Sequence, residues 1–564
     1  MYDFIIVGAG TAGCTIAKNL AQSSKRPEIL LIESGGYNQD TSLRVPGKKF
    51  LTSLTPGMDK GYTAVPQSSL DGRQLGLLRG QGLGGSSATN YCTYTRGARD
   101  NYDEWAKQTG DDFWGWENCK KRFGQIEHLH EPPEKYSEFF QMDPRTGWGQ
   151  TGPLDISHPT EWEQEIGRVV KAATAYGYKK NLDYNSGDVI GVGVGPATSW
   201  NGLRTTASTA FLEEKPSNIH ILTGKLVTQI IFDGKMAKGV RSYNEEYIAT
   251  REVILCAGAL DTPKLVLLSG VGQEKELARL NIPTLHNLPS VGKNLQDHPM
   301  LPYSVEVSQS FTERNLFFSN PDAMRAAEEQ WHRERTGILT SVYCTPVLAF
   351  VKLDHVLGSK EFEILDETTK EYLQQPTIPT YEWITNALSL DATKRVENPL
   401  LAGFVILSNP ISRGSVTLQS ANPADAPACD LAFMKHPFDQ YTIIQGFRDF
   451  FRFLASPAMA EYIVSMRSFG KDLSPDWSDK DIIAYIKDNL LSACHISGTM
   501  KMGTAGDASA AVDSSCRILG LQGIRVADMS IVPTIPSGHV QAAAYVIGQS
   551  VTEILIGEYE LDKA

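Results

Sequence analysis

The sequence predicts an α/β protein with a second, α+β domain, and three observations predict it. The chain opens on a strand, a glycine turn, a helix and a second strand, all within residues 3–33. Strand and helix patterns alternate again between residues 223 and 272, and a short buried strand of the same kind returns at Ile524–Ala527. Between these, residues 301–490 mix charged helix-period segments with strand-like ones. At 564 residues the chain is too long for one hydrophobic core. The expected division is a nucleotide-binding domain from residues 1–42, 74–155, 196–300 and 491–564. A substrate-binding domain from 43–73, 156–195 and 301–490 is expected to carry a mixed or antiparallel sheet with flanking helices.

Asp3–Val7 (DFIIV) is a short apolar run rich in β-branched residues, which reads as a buried strand. It runs into Gly8-Ala9-Gly10-Thr11-Ala12-Gly13, a G-x-G-x-x-G turn. The first glycine permits the tight turn and the second lets backbone approach a pyrophosphate. The third lets the next helix sit close to the strand, so that its N-terminal amides face the anion. Ile16, Ala17 and Leu20 give that helix one apolar face, and Glu28–Ile32 forms the second strand. Glu33 stands 20 residues past Gly13, where a carboxylate can accept a ribose 2′-hydroxyl and would repel a 2′-phosphate. A glycine turn by itself is a weak signal; strand, turn, helix, strand and acid in this order predict a Rossmann-like adenine dinucleotide site.

Composition excludes several function classes. A net charge of −12 argues against nucleic acid or an acidic membrane as partner. The 41% hydrophobic and 21% charged content is that of an ordinary globular chain, and no apolar run is long enough to span a bilayer. The first strand starts at residue 3, which leaves no room for a signal peptide, and no glycosylation sequon occurs. A soluble, cytoplasmic protein is therefore expected. The eight cysteines (Cys14, Cys92, Cys119, Cys256, Cys344, Cys429, Cys494 and Cys516) are scattered without a CxxC pair. They read as buried, reduced thiols, and no metal site is expected. H-E-x-x-H, G-x-S-x-G and P-loop lysine motifs are absent, which removes three common hydrolase readings.

Arg79-Gly-Gln-Gly-Leu-Gly-Gly-Ser-Ser87, leading to Asn90, suits a loop that opens a helix and offers backbone amides to an anion or ring system. Trp105, Trp114, Trp116 and Trp148 read as core rather than site residues. A hairpin is expected at Asp233-Gly234, and a buried strand at Val253–Ala257. The helix after that strand is expected to start near Pro263, as a first-turn proline, and to end at Gly270. Asp322–Arg335 and Lys360–Gln374 are helix-period; Val347–Val351 and Ser415–Gln419 are strand-like.

Four motifs in order give this chain, over essentially its whole length, a resemblance to the glucose–methanol–choline (GMC) oxidoreductases, a flavin-dependent family. They are Gly80–Asn90 with Arg96-Gly97, Gly258–Gly272, Val291-Gly-Lys-Asn-Leu-Gln-Asp-His298, and Asp528-x-Ser530-x-x-Pro533. The resemblance implies a flavin adenine dinucleotide (FAD) domain and a substrate domain whose sheet covers the flavin ring. It implies that Gly8, Gly10, Thr11, Ala12 and Gly13 hold the pyrophosphate and Glu33 the adenosine ribose. Ser86, Asn90 and Thr93 are implied along the flavin, Val227 at adenine and Asp528 near the ribityl chain, with Gly85 and Val540 as further cofactor-binding residues. Thr89 stands where flavin-linked members carry a histidine, so FAD is expected to be non-covalent. Gln81 replaces a common basic residue at a position that the family varies.

His495, in Cys494-His-Ile-Ser-Gly-Thr499, and His539, in Pro536-Ser-Gly-His-Val540, lie in small-residue stretches where a loop can present a side chain. A lone histidine is more often a surface or satisfied core residue; both of these match the family's active-site pair. Oxidising an alcohol to an aldehyde or ketone removes a hydroxyl proton and a hydride, and the resemblance implies that flavin N5 accepts the hydride. A neutral imidazole suits the proton, so His495 is read as the base and His539 as the partner that orients the hydroxyl. Oxygen or another acceptor would reoxidise the flavin, in a monomer or homodimer. Cys494, where aryl-alcohol members are often aromatic, leaves room for a bulky alcohol unless Tyr343 or Trp383 fills the gap. The competing readings are a lyase or cyclase that retains FAD, and a fatty-acid photodecarboxylase suggested by Leu339–Cys344. The latter needs an arginine downstream of the cysteine, and the first is Arg395.

Overall fold

The computed structural model describes residues 1–563 except 39, 313–316, 318, 319, 342, 343, 345 and 392–397. The strand Tyr2–Val7 lies between Ile29–Ile32 and Glu245–Leu255 and pairs with both in parallel. Ile219–Leu222 extends this sheet beyond Ile29–Ile32, and Ile524–Val526 joins Glu245–Leu255, again in parallel. The sheet thus draws strands from both ends of the chain. Met236–Ser242 and Gln229–Asp233 complete its seven strands as an antiparallel extension around the Asp233-Gly234 hairpin. Phe4, Ile5, Ile6, Leu30, Leu31, Ile254 and Leu255 are all fully buried, as strands need when both faces of a parallel sheet are covered. The helix Thr11–Ala21 lies against this sheet and packs on Gln541–Glu558. A Cβ on Gly548 would stand 2.9 Å from the Ala12 carbonyl oxygen, so a glycine sets how closely these helices meet.

Register matters more than strand count here. Val7 is level with Ile32 and Leu255, and Leu255 with Val526. The Gly8 turn, Glu33, the Gly258 turn and Asp528 therefore all leave the sheet along one edge. That is where open α/β sheets bind ligands.

The second sheet is antiparallel, in the order Ile463–Ser465, Pro299–Val307, Leu400–Leu407, Tyr381–Ile384, Val347–Val351 and Gly191–Val194, with Leu491–Ser492 also pairing with Pro299–Val307. The helix Pro437–Leu454 covers it, burying Phe447, Phe450, Phe451 and Phe453. No described helix is long and apolar enough to cross a membrane.

Two local expectations change. Pro263 is the sixth residue of the helix Gly258–Leu268, not part of its first turn. The ring removes the amide that would bond the Ala259 carbonyl, and the Thr499 hydroxyl donates to that carbonyl instead, at 2.6 Å. Lys360–Gln374 splits into Lys360–Glu363 and Glu367–Gln374, because the Asp366 carboxylate accepts from the Thr369 amide and starts a new helix. Ser415–Thr417 forms a small hairpin with Ala428–Asp430, outside both large sheets. The four tryptophans belong to the core of the first sheet, and no disulfide joins the described cysteines.

Arg96, in the first motif, is fully buried. Its Nε donates to Glu127 Oε1 at 2.8 Å, a second guanidinium nitrogen donates to Oε2, and the Tyr94 hydroxyl donates to Oε1 at 2.7 Å. The pair anchors the segment that presents Thr95, whose hydroxyl oxygen accepts from the His539 amide. Removing one partner from a buried, hydrogen-bonded ion pair costs about 3–5 kcal/mol. Glu127→Gln is therefore expected to lower the thermal unfolding midpoint clearly; an unchanged midpoint would show that the pair contributes no net stability.

Candidate active site

At the level ends of the parallel strands, Gly8 adopts a φ of +103°, and a Cβ on Gly13 would stand 2.0 Å from the Gly8 carbonyl oxygen. Neither position accepts a side chain without displacing the turn. Gly10 has nothing within 4 Å of where a Cβ would be, and it faces a cavity of about 520 Å³. Gly85 closes on Gly10 from the second glycine loop, with a Cβ there 2.8 Å from the Gly10 Cα.

Glu33 joins these parts. Its Oε1 accepts from the Gly35 amide at 2.8 Å, the Gly82 amide at 3.1 Å and the Ser34 hydroxyl at 3.2 Å; Oε2 accepts from the Ala9 amide at 2.9 Å. With a single partner, Oε2 keeps acceptor capacity for a hydroxyl in the cavity. Of the sequence-predicted cofactor residues, Gly8, Gly10, Thr11, Ala12, Glu33, Gly85, Ser86, Asn90, Thr93, Val227, Asp528 and Val540 all line this one cavity. Gly13 stands behind it, against Gly8 and Cys256. Asp528 accepts from the Gly258 amide at 2.9 Å and the Thr262 hydroxyl at 2.6 Å, and burial pushes its carboxyl up. Thr89 also lines the cavity. Open helix N-terminal backbone, a free acceptor on Glu33 and a glycine-lined wall fit an adenine dinucleotide.

His495 and His539 line the same cavity, with ring centroids 5.2 Å apart and planes at 80°. Strand pairing brings a third histidine to them. Pro299 pairs with Ser492, so His298 and His495 emerge from neighbouring strand ends. Their Nδ1 atoms lie 2.9 Å apart. Asp297 tightens this junction, its Oδ1 accepting from the His495 amide at 2.8 Å and the His298 amide at 2.9 Å, and Oδ2 from the Ser492 hydroxyl. His539 Nε2 lies 3.0 Å from Glu382 Oε1, on the second sheet. Burial, then His298, His539 and Arg79, hold the His495 ring well below its ordinary pKa, and burial with His539 lowers His298 to about 3. Both rings are therefore neutral at physiological pH, and His495 keeps Nε2 as the nitrogen not engaged by His298.

A GMC oxidoreductase family model matches residues 2–300, and a GMC oxidoreductase C-terminal model matches residues 410–548. The chain belongs to the GMC oxidoreductase family. An oxygen-dependent choline dehydrogenase of Pseudomonas fluorescens is 31% identical over 100% of this chain and 95% of its own. An alcohol dehydrogenase [acceptor] of Pseudomonas putida is 31% identical, over 100% and 97%. A solved formate oxidase of Aspergillus oryzae, studied for its FAD modification, superposes with a TM-score of 0.89 at 26% identity, covering 99% of this chain and 98% of that one. This GMC oxidoreductase is thus an FAD-family enzyme of the class acting on CH–OH donors, with a mixed α/β fold.

Sequence reasoning missed Asp297, His298 and Glu382 as parts of the site of this GMC oxidoreductase. Two signals were present. Asp297-His298 stands in a motif already singled out, and Glu382 is a carboxylate inside the apolar run Tyr381–Ile384, where burial demands a partner. Tyr343 and Arg395 lie outside the described residues; Trp383 is buried in the core of the second sheet. Burial pushes the Cys344 thiol up to about 12.

Burial pushes the Asp297 carboxyl up to about 6, against an ordinary value near 3.8. A raised carboxyl binds its proton more readily in the folded than in the unfolded chain. Stability therefore falls as pH rises from 3.8 through 6. Asp297→Asn keeps the acceptor oxygen and removes the buried charge. Its thermal midpoint is expected to exceed that of the wild type above pH 6, worth about 2–3 kcal/mol at pH 7, and the difference closes on acidification towards pH 4. A difference independent of pH would remove Asp297 as the titrating group.

Proposed function

We propose that this enzyme oxidises an alcohol to an aldehyde or ketone, with His495 as the base and His539 orienting the substrate hydroxyl. The observation that carries the reading is a neutral, half-buried His495 whose Nδ1 is engaged by His298, in the cavity that begins at the dinucleotide turn. Donation from His495 Nδ1–H to His298 Nδ1 leaves the Nε2 lone pair to take the hydroxyl proton. Glu382 lies 3.0 Å from His539 Nε2 and fixes that ring beside the substrate hydroxyl. When bound, FAD supplies the acceptor for the hydride and hands the electrons on to oxygen or another acceptor. Helix N-terminal amides at Gly10–Ala12 would hold its pyrophosphate and Glu33 Oε2 its ribose, with Gly85, Ser86, Asn90, Thr93 and Val540 along the flavin, Val227 at adenine and Asp528 at the ribityl chain. The two-domain division, and action as a monomer or homodimer in the cytoplasm, belong to the same proposal; described cysteines without a disulfide suit a reducing compartment.

Threonine at position 89 supports non-covalent FAD. Acid precipitation of the yellow protein is expected to release all of its colour to the supernatant, and Glu33→Ala is expected to lose FAD on dialysis while the chain stays in solution. Colour retained in the denatured pellet would overturn the first expectation, and full occupancy of the variant the second.

The base assignment is tested by rapid mixing with a panel of alcohols under anaerobic conditions. His495→Ala is expected to keep the bound flavin spectrum and to slow flavin reduction by roughly 10²–10⁴-fold. His539→Ala should lose less, and the double variant less than the product of the two. An unchanged rate in His495→Ala removes it as base. Product formation without flavin bleaching would instead identify a lyase or cyclase.

A further inference from the structure

Asn386 lines the same cavity and plays no part in the chemistry above. It is 2% exposed, and neither its Oδ1 nor its Nδ2 has a hydrogen-bond partner. A buried carboxamide with both ends unpaired carries an uncompensated desolvation cost, and native structures keep few such groups without a use. Its backbone is also unusual, with a φ of +63°, a left-handed conformation that side-chain-bearing residues seldom adopt.

That conformation is imposed by its neighbours. The Thr385 amide donates to the Val347 carbonyl at 3.0 Å and the Ala387 amide to the Ala402 carbonyl at 3.1 Å, so the residues on either side are tied to two strands of the second sheet. Asn386 is the asparagine held between those ties, in the same run that supplies Glu382 to His539. Ile384, at the end of the strand Tyr381–Ile384, and Asn386 just beyond it both line the cavity. The wall around them is apolar, with Met300, Ala387, Phe404 and Ile406.

We infer that Asn386 is a substrate-recognition residue, and that the alcohol carries on its apolar body a second group, a carboxamide or lactam, that pairs with the Asn386 side chain. A primary amide offers a carbonyl acceptor beside an N–H donor, and only a group that presents the reciprocal pair satisfies both ends at once. A purely hydrocarbon substrate leaves both Asn386 atoms buried and unpaired in the complex. A site built to hydrogen-bond a substrate group discriminates strongly against an analogue that lacks it. The inference rests on the alcohol-oxidising reading of the cavity for the reacting end of the substrate, but not for the recognition end.

The test uses the FAD-loaded enzyme and two pairs of isosteres. These are 4-(hydroxymethyl)benzamide with 4-isopropylbenzyl alcohol, and 6-hydroxyhexanamide with 6-methylheptan-1-ol. Dissociation constants are read from flavin difference spectra, and anaerobic flavin reduction is followed in parallel. In the wild type, the amide member of at least one pair is expected to bind on the order of 10-fold or more tightly than its hydrocarbon twin. Asn386→Leu is expected to abolish or invert that preference. Asn386→Gly, which relieves the left-handed backbone and so keeps the fold, is expected to abolish it without inverting it. Equal binding within both pairs, no binding of any member, or a preference that survives both variants would each overturn the inference. If the amide preference appears and is lost in the variants while no alcohol bleaches the flavin, the recognition role stands and the redox reading fails. If alcohols bleach the flavin without any amide preference, the redox reading stands and the recognition role fails.

Discussion

Glu33 accepts from the backbone amides of Ala9, Gly35 and Gly82 and so ties together three loops that no strand pairing connects. An ionised acceptor makes shorter and stronger bonds than a neutral one, roughly twice as strong per bond. The glycines it gathers are those that tolerate close approach: a Cβ on Gly35 would lie 2.3 Å from the Gly82 nitrogen, and one on Gly85 would lie 2.8 Å from the Gly10 Cα. The nucleotide-side wall of the cavity is therefore assembled around one carboxylate. It stays compact because Gly35, Gly82 and Gly85 have no side chains to separate the loops.

The opposite part of the cavity is assembled by strand register. Pairing of Pro299 with Ser492 sets His298 against His495, and Asp297 then bonds both of their amides. His539 arrives from the start of the helix Gln541–Glu558, held by Thr95 through its amide and by Glu382 through its ring. The second sheet and the C-terminal helix thus each supply one side of the histidine group. Burial serves the chemistry directly, because it keeps His495 and His298 uncharged. The same burial raises the Asp297 carboxyl, so the junction that positions His495 is held at a cost to stability near neutral pH.

Local patterns were legible where one short segment contains the whole signal. The opening turn, the second glycine loop, the Asp233-Gly234 hairpin and the strand Val347–Val351 could all be read from spacing and composition, because their geometry depends on neighbours in sequence. Pro263 was misjudged for the opposite reason. Whether a helix interior tolerates proline depends on a distant donor, here Thr499, and no local pattern records it. The split of Lys360–Gln374 hid in the same way, since helix periodicity continues across a capping aspartate that starts a new helix.

By itself, the sequence determined the class of fold, the glycine turn and the two histidines in small-residue stretches, because each of these is written in residue types at short spacing. Tertiary structure alone decided which groups surround those histidines. His298 reaches His495 across 197 residues, and Glu382 reaches His539 across 157. Asn386 acquires its meaning only when two strands fix its backbone and an apolar wall closes around it. Such partnerships are set by strand register and burial, which join residues by position in space, and a pattern read along one chain does not contain them.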